Sequence, residues 1–306
     1  MTAPPPVLGA LDPDAPLPFG PASLVRAAVA EPVTALLVQR VLVMDVAHPK
    51  VAAAVAHHSH FQRRPLSRAW VTVDAALRLV FGDEHTARSA ARQIYGVHDH
   101  ISGRLEGAGG HHPDIDQDAA EKEYSAHDAS LLTWVWATLV DSAEVAYTRW
   151  VGPLSSSEAE AYYADMVAFA RFVGIPAPLL PPDRPAFAAY LDGVLDSGLL
   201  GVGEQGRALV RHILWFEHRT VPSPIVRIGR VLAVRTLDPR LRNSLGLELD
   251  AADERFGNRL DQMMQTYYPR LPRARAGLPT LYVQLRRPTI GLAARWHGIV
   301  GRSEPR

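Results

Sequence analysis

Residues 92–103 read RQIYGVHDHISG, residues 107–116 read GAGGHHPDID, and residues 121–139 read EKEYSAHDASLLTWVWATL. A helix that ends in histidines, a glycine-rich loop and a long apolar helix follow one another here. The first helix is expected over about residues 86–102. Its Ala87, Ala90, Ile94, Val97 and Ile101 recur at the three- and four-residue spacing of one apolar face. His98 falls about 40° from Ile94, at the inner edge of that stripe beside Ala91, whereas Asp99 and His100 point away. An H-x-H pair on a helix diverges, so His98 and His100 do not suit one metal ion together. From these residues alone, His98 is either a hydrogen-bonded core histidine or a ligand. Between the two helices, Gly107, Gly109 and Gly110 suit sharp turns, but no Lys-Ser/Thr follows to make a phosphate-binding loop. His111 and His112 are read as loop residues, with metal binding as the alternative. Asp128 is placed to cap a helix that runs unbroken to Gly152. Leu131, Trp134, Val135, Thr138, Leu139 and Ser142 lie along one side, which predicts a central helix.

Upstream, repeated prolines over residues 1–20 predict an extended, mobile arm. Helical patterning begins near Ala22, breaks at Pro32 and again at His48-Pro49, and restarts in KVAAAVAHHSHF. His57, His58 and His60 crowd the end of that segment, where the helix dipole favours them without a metal. Pro65 opens LSRAWVTVDAALRLVF, closed by Gly82-Asp83. Leu66, Trp70, Val73, Leu77 and Val80 form its core stripe, and Ser67, Asp74 and Arg78 its solvent face. Arg68, Thr72, Ala75 and Leu79 make a mixed third stripe that could line a pocket. Downstream, Ser155 and Glu158 read as a capping box. Further helices are expected at about 185–197, 204–217, 224–234, 237–246 and 251–267. No alternating pattern is long enough to build a sheet, and no repeat of fixed period is present. The expected fold is all-α. An arm over 1–20, a helical domain over 21–265 and a basic segment over 266–306 divide the chain.

Composition narrows the functional classes. Of 306 residues, 47% are hydrophobic, ample for a core. Lys+Arg and Asp+Glu balance at 32 each, which argues against a nucleic-acid partner. The chain has no cysteine, so disulfides, thiolate metal sites, iron–sulfur clusters and a thiol nucleophile are excluded. Histidine, at 13, is then the strongest ligand available for a metal or haem iron. No basic-then-apolar leader is visible and no apolar run reaches the roughly 18 residues of a spanning helix. A cytoplasmic protein without a transmembrane segment is the expectation. Residues 266–306 carry eight arginines against one acid, Glu304, so peripheral contact with anionic lipid is an option for this tail, beside a solvated tail folded over the body.

Five stretches together carry a resemblance: DVAHPKVAAAVAHHSHF (45–61), RPLSRAWVT (64–72), YGVHDHISG (95–103), EYSAHDASLLTWVWATLVDS (123–142) and WVGPLSSSEAEAYYADMVAFARFVGIP (150–176). In this order they resemble the haem-b oxygenase family that contains the rubber oxygenases (latex-clearing proteins) and the fungal mycophenolic-acid-pathway oxygenase MpaB. The likeness spans about residues 20–240. It implies an α-helical fold with haem b between helices. The family's proximal histidine is followed after two residues by an aliphatic one, which His98-Asp99-His100-Ile101 matches. On the distal side, the family's arginine and threonine match Arg68 and Thr72, while Val71 replaces the family lysine. Trp136 stands where many bacterial relatives have histidine.

The resemblance implies that His98 binds the haem iron. Arg68 would either stabilise negative charge developing on dioxygen or pair with a haem propionate, and Thr72 would donate a hydrogen bond on the oxygen side. The leading expectation is a haem-b-dependent oxygenase using dioxygen on an apolar, unsaturated small molecule, by oxidative cleavage or hydroxylation. The alternatives are a non-catalytic haem-binding or sensing protein, and a helical binding module without haem. A metal-dependent hydrolase built on His57, His58 and His60, or on His111 and His112, is disfavoured because no acid sits at a recognised ligand spacing.

Overall fold

The longest helix, α6 (Ala129–Trp150), organises a computed structural model that describes residues 7–12, 14–58, 65–105, 123–201, 203–216, 221–271 and 277–286, with backbone alone at 65–70 and 286. The Asp128 side chain accepts from Ser130 N–H at 2.9 Å and so starts α6 where the sequence places it. Successive turns of α6 then enter four separate apolar clusters: Leu131 in one, Trp134 in a second, Trp136, Ala137 and Val140 in a third, Ala146 and Trp150 in a fourth. A helix buried on so many sides carries few charges, and the charges of α6 are confined to Asp141, Glu144 and Arg149.

Around this axis the described residues form thirteen α-helices and a single two-stranded ribbon, an all-α fold. Before α6 come α1 (Leu24–Ala30), a 3-10 helix at Pro32–Leu37, α2 (Val38–Ala47), α3 (Pro49–His58), α4 (Pro65–Phe81) and α5 (Glu84–His98). After it come α7 (Ser156–Phe172), α8 (Arg184–Asp196), α9 (Glu204–Leu214), α10 (Ser223–Thr236), α11 (Pro239–Ser244), α12 (Ala251–Tyr267) and α13 (Leu278–Arg286). Pro32 breaks the first run as expected, standing at the start of the 3-10 turn. The Ser155–Glu158 capping box is present at α7, and Gly174, at φ 93°, ends that helix in a conformation only glycine takes freely.

One short ribbon was not legible. Strand β1 (Ser102–Arg104) pairs antiparallel with β2 (Glu123–Ser125), so the helix expected to reach residue 102 stops at His98. In the N-terminal segment, Leu8 and Phe19 are buried in the largest cluster, and the Leu8 N–H donates to the His127 carbonyl at 2.8 Å.

The largest departure concerns α4. Asp74 and Arg78, expected on its solvent face, are buried at 9% and 8% exposure and form an ion pair at 3.1 Å. Helix α13 accounts for this: it packs on α4, Tyr282 Oη donates to Asp74 Oδ1 at 2.8 Å, and Val283 is buried beside it. A polar face reads as exposed until an element distant in sequence is laid over it. Among the described residues, no helix is long and apolar enough to cross a membrane.

Candidate functional site

Helices α4 and α5 form a hairpin whose connection is Gly82-Asp83. A Cβ on Gly82 would lie 2.3 Å from the Arg78 carbonyl and 2.9 Å from the Thr86 side chain, so the corner requires glycine. The Asp83 carboxylate then accepts from Thr86 N–H at 3.0 Å and caps α5. Higher up, Leu79 shares a buried cluster with Ala90 and Ala91, and Arg78 Nη2 donates to Gln93 Oε1 at 2.7 Å. These ties set the register of the hairpin. Continued to its open end, that register brings the last turn of α5, with His98, level with the turn of α4 that holds Val71 and Thr72.

His98 is the final residue of α5 and is half-buried. Its ring meets that of His127 edge-on at 6.3 Å between centroids. His127 lies against Tyr95 at 4.8 Å, and its Nε2 is 2.8 Å from Asp99 Oδ1. His127 had no role in the reading of the sequence. Its position is fixed from two directions, by the Leu8 N–H on its carbonyl and by the start of α6 one residue later. A histidine directly before an N-cap carries no periodic signal, which is why only the assembled fold brings it to His98.

On the facing helix, Thr72 is exposed, and Arg68 stands one turn earlier in the backbone of α4, with its side chain outside the described residues. Among the described residues, Val71 at 37% and Val97 at 43% are large apolar side chains left uncovered at this end of the hairpin. Val97 was expected in the buried stripe. That cluster covers Ala90 and Ala91 with Leu79 and Phe172, and does not cover the last turn.

The other histidines take different partners. His57 Nδ1 is 2.9 Å from Tyr124 Oη, and His58 Nε2 is 3.0 Å from the Ser102 carbonyl, so both tie α3 to the ribbon. His60, His111 and His112 lie outside the described residues. No group of three or more His, Cys, Asp or Glu suited to a metal ion occurs among the described residues. Trp136 is 2% exposed, donates its indole N–H to the Met166 carbonyl at 2.8 Å and meets Phe187 edge-on at 5.6 Å. It fills the core between α6, α7 and α8.

A second polar seam joins α2 to α6. Thr138 Oγ1 is 2.7 Å from Asp45 Oδ1, and burial pushes the Asp45 carboxyl up to about 7 despite that hydrogen bond. Burial, with the Lys50 charge, lowers His48 to about 4, and its Nδ1 accepts from Lys50 N–H at 3.2 Å. Arg40, also buried, reaches Ser142 Oγ at 2.6 Å, Asp141 at 2.5 Å and the Thr236 carbonyl at 3.0 Å.

Residues 26–267 match the family model described as ER-bound oxygenase mpaB/B'/Rubber oxygenase, catalytic domain, and the chain belongs to that family. It is also similar to an uncharacterized protein of Mycobacterium bovis and to one of Mycobacterium tuberculosis, each 31% identical over 140 residues, 43% of this chain and 52% of theirs. The chain spans about half the length of these curated relatives. No solved structure matches it significantly.

Haem b, which the likeness to the rubber oxygenases implies, requires an imidazole for its iron, apolar contact for its ring and a cation or hydrogen-bond donor for its carboxylates or for dioxygen. Among the described residues, His98, the uncovered Val71 and Val97, and Thr72 stand on two adjacent helices and fit the first two needs and a hydrogen-bond donor, with Arg68 one turn before Thr72 in the backbone.

Proposed function

We propose that this protein is a haem-b-dependent oxygenase that uses dioxygen on an apolar, unsaturated small molecule. Membership of the oxygenase family supports the reaction class. One observation carries the assignment of the site: the α4–α5 register, which sets His98 level with Thr72 at an end of the hairpin where Val71 and Val97 remain uncovered. When bound, haem b supplies redox-active iron. His98 would hold its iron, with His127 and Asp99 behind it restricting how the ring can turn. Arg68 is assigned to a propionate or to the negative charge that develops on dioxygen, and Thr72 to a hydrogen bond on the same side. Val71, where the family has lysine, makes that side less polar. Val71 and Val97 exclude water and favour an apolar substrate.

The visible spectrum of haem-supplied protein beside His98→Ala tests this. A Soret band that collapses in the variant is expected. A band unchanged by the substitution would remove His98 from its role, and no band even after haem addition would overturn the haem reading. Oxygen uptake then separates the chemistries. Cleavage of a carbon–carbon double bond places both oxygen atoms in two carbonyl products and needs no external electrons. Hydroxylation places one oxygen in the product and one in water, and needs two electrons from a donor.

A further inference from the structure

The seam between α2 and α6 is covered on one side only. The two helices run antiparallel, so that Asp45 meets Thr138 and, further along, Arg40 meets Ser142. On one side, Trp134 donates its indole N–H to the Met44 carbonyl at 3.1 Å, and both residues join an apolar cluster with α9 and α10. On the other side stand Val135 and Leu139, about 40° apart on α6, and Val41, one turn from Asp45 on α2 and level with the Leu139–Ser142 turn. None of these three joins an apolar cluster among the described residues. Val41 and Val135 are half-buried, and Leu139 is 37% exposed in the middle of the longest helix.

Asp45, itself half-buried, stands at the edge of this strip. Thr138 Oγ1 lies 2.7 Å from Asp45 Oδ1 and 2.7 Å from the Val135 carbonyl. A hydroxyl has one hydrogen and a carbonyl only accepts. Both contacts are satisfied together when Asp45 carries a proton on Oδ1 and donates it to Thr138. Oδ2 is then an acceptor, and no donor reaches it among the described residues. An acceptor left beside apolar side chains calls for a donor from elsewhere.

We propose that this strip binds an apolar alcohol, whose hydroxyl donates to Asp45 Oδ2 and whose chain lies along Val41, Val135 and Leu139. Burial lifts the Asp45 carboxyl to about 7, which keeps its proton in place in mildly acidic solution. A carboxylate ligand suits the strip less well, because it has no hydrogen to give Oδ2 and would enter apolar surroundings as an ion. Arg40 does not offset that charge, since Ser142, Asp141 and the Thr236 carbonyl already engage it. The binding itself does not rest on the oxygenase reading.

Calorimetric titration of the full-length, haem-supplied protein near pH ~6, below the raised Asp45 value, tests the proposal. The probes are 1-octanol and methyl octyl ether, which keeps the chain and loses the donor. Octanol should bind about fivefold tighter or more, the worth of one hydrogen bond. Asp45→Val should bring octanol down to the affinity of the ether and leave the ether unchanged. Leu139→Trp, which fills the strip from an exposed position, should weaken both probes about tenfold. That second variant leaves the Asp45–Thr138 contact intact and keeps the test open should Asp45→Val not fold. Equal affinities in wild type, or a preference that survives Asp45→Val, would overturn Asp45 as the contact. Probes unaffected by Leu139→Trp would overturn the strip, and no binding of either probe would overturn the site.

Discussion

At the scale of the residue, Asp45 and His48 pull stability in opposite directions. The Asp45 carboxyl rises from an ordinary 3.8 to about 7 on folding, so its contribution is fully present below about pH 4 and is lost as pH climbs toward 7. His48 falls from 6.5 to about 4, so the native state takes up a proton less readily, and stability rises over that window. Wild type should therefore show a shallow profile between pH 4 and 6.5. Asp45→Asn removes one of the two slopes. Its melting temperature relative to wild type should improve steadily from pH 4 to 7 and then level, a relative gain on the order of 1–3 kcal/mol. A difference that stays flat across that range would show that Asp45 is not buried as a carboxylic acid. Trp136→Ala should cost about 3–5 kcal/mol in chemical denaturation, because it empties a well-packed site and removes the indole donor to the Met166 carbonyl. Trp136 lay off the side of α6 that the sequence marks as apolar, so both its burial and its indole hydrogen bond were decided by α7 and α8.

Elements are where the candidate site is made. The α4–α5 hairpin owes its register to a glycine corner, a capping aspartate and one arginine–glutamine bond, all at its closed end. The chemistry proposed for it lies at the open end. Asp83→Ala should cost about 1 kcal/mol and, because α5 would start less well defined, should weaken haem retention more than it lowers the melting temperature. Parallel denaturation and haem-transfer measurements check this, and proportionate losses would argue against the register as the feature that holds the site. Tyr282→Phe deletes the hydrogen bond that α13 makes to Asp74 and should cost about 1 kcal/mol in denaturant unfolding. The helical wheel identified His98 as a candidate because it sits beside Ile94. It also placed Val97 in the core, which was wrong, because periodicity says which face is apolar and not how far along the helix a partner extends.

Across the whole molecule, remote segments complete what the central helices begin. Asp261 of α12 accepts from Arg149 of α6 at 2.9 and 2.6 Å and from Arg235 of α10 at 3.2 Å, with the Trp150 indole N–H at 3.2 Å. Burial works to raise this carboxyl, but the bonds from Arg149 and Trp150 and the charge of Arg235 hold it below its usual value. Deleting residues 277–306 uncovers the Asp74–Arg78 pair and the apolar patch under Val283. The truncated chain should melt several degrees lower, consistent with losing roughly 2–3 kcal/mol of burial. An unchanged melt would mean that α13 is not part of the stable body in solution.

The sequence by itself determined the all-α class, the helix starts set by a proline or a capping side chain such as Asp128 and Ser155, and the central standing of α6. These are local properties: a cap, a corner and a period act within a few residues. The five ordered stretches also point to the oxygenase family, a likeness that the family match over residues 26–267 bears out. Only the tertiary structure decided that Asp74 and Arg78 are buried, that His127 stands against His98, and that Asp45 meets Thr138. Each of these depends on which distant element covers a given face, and a face carries no record in its own residues of what will be laid over it.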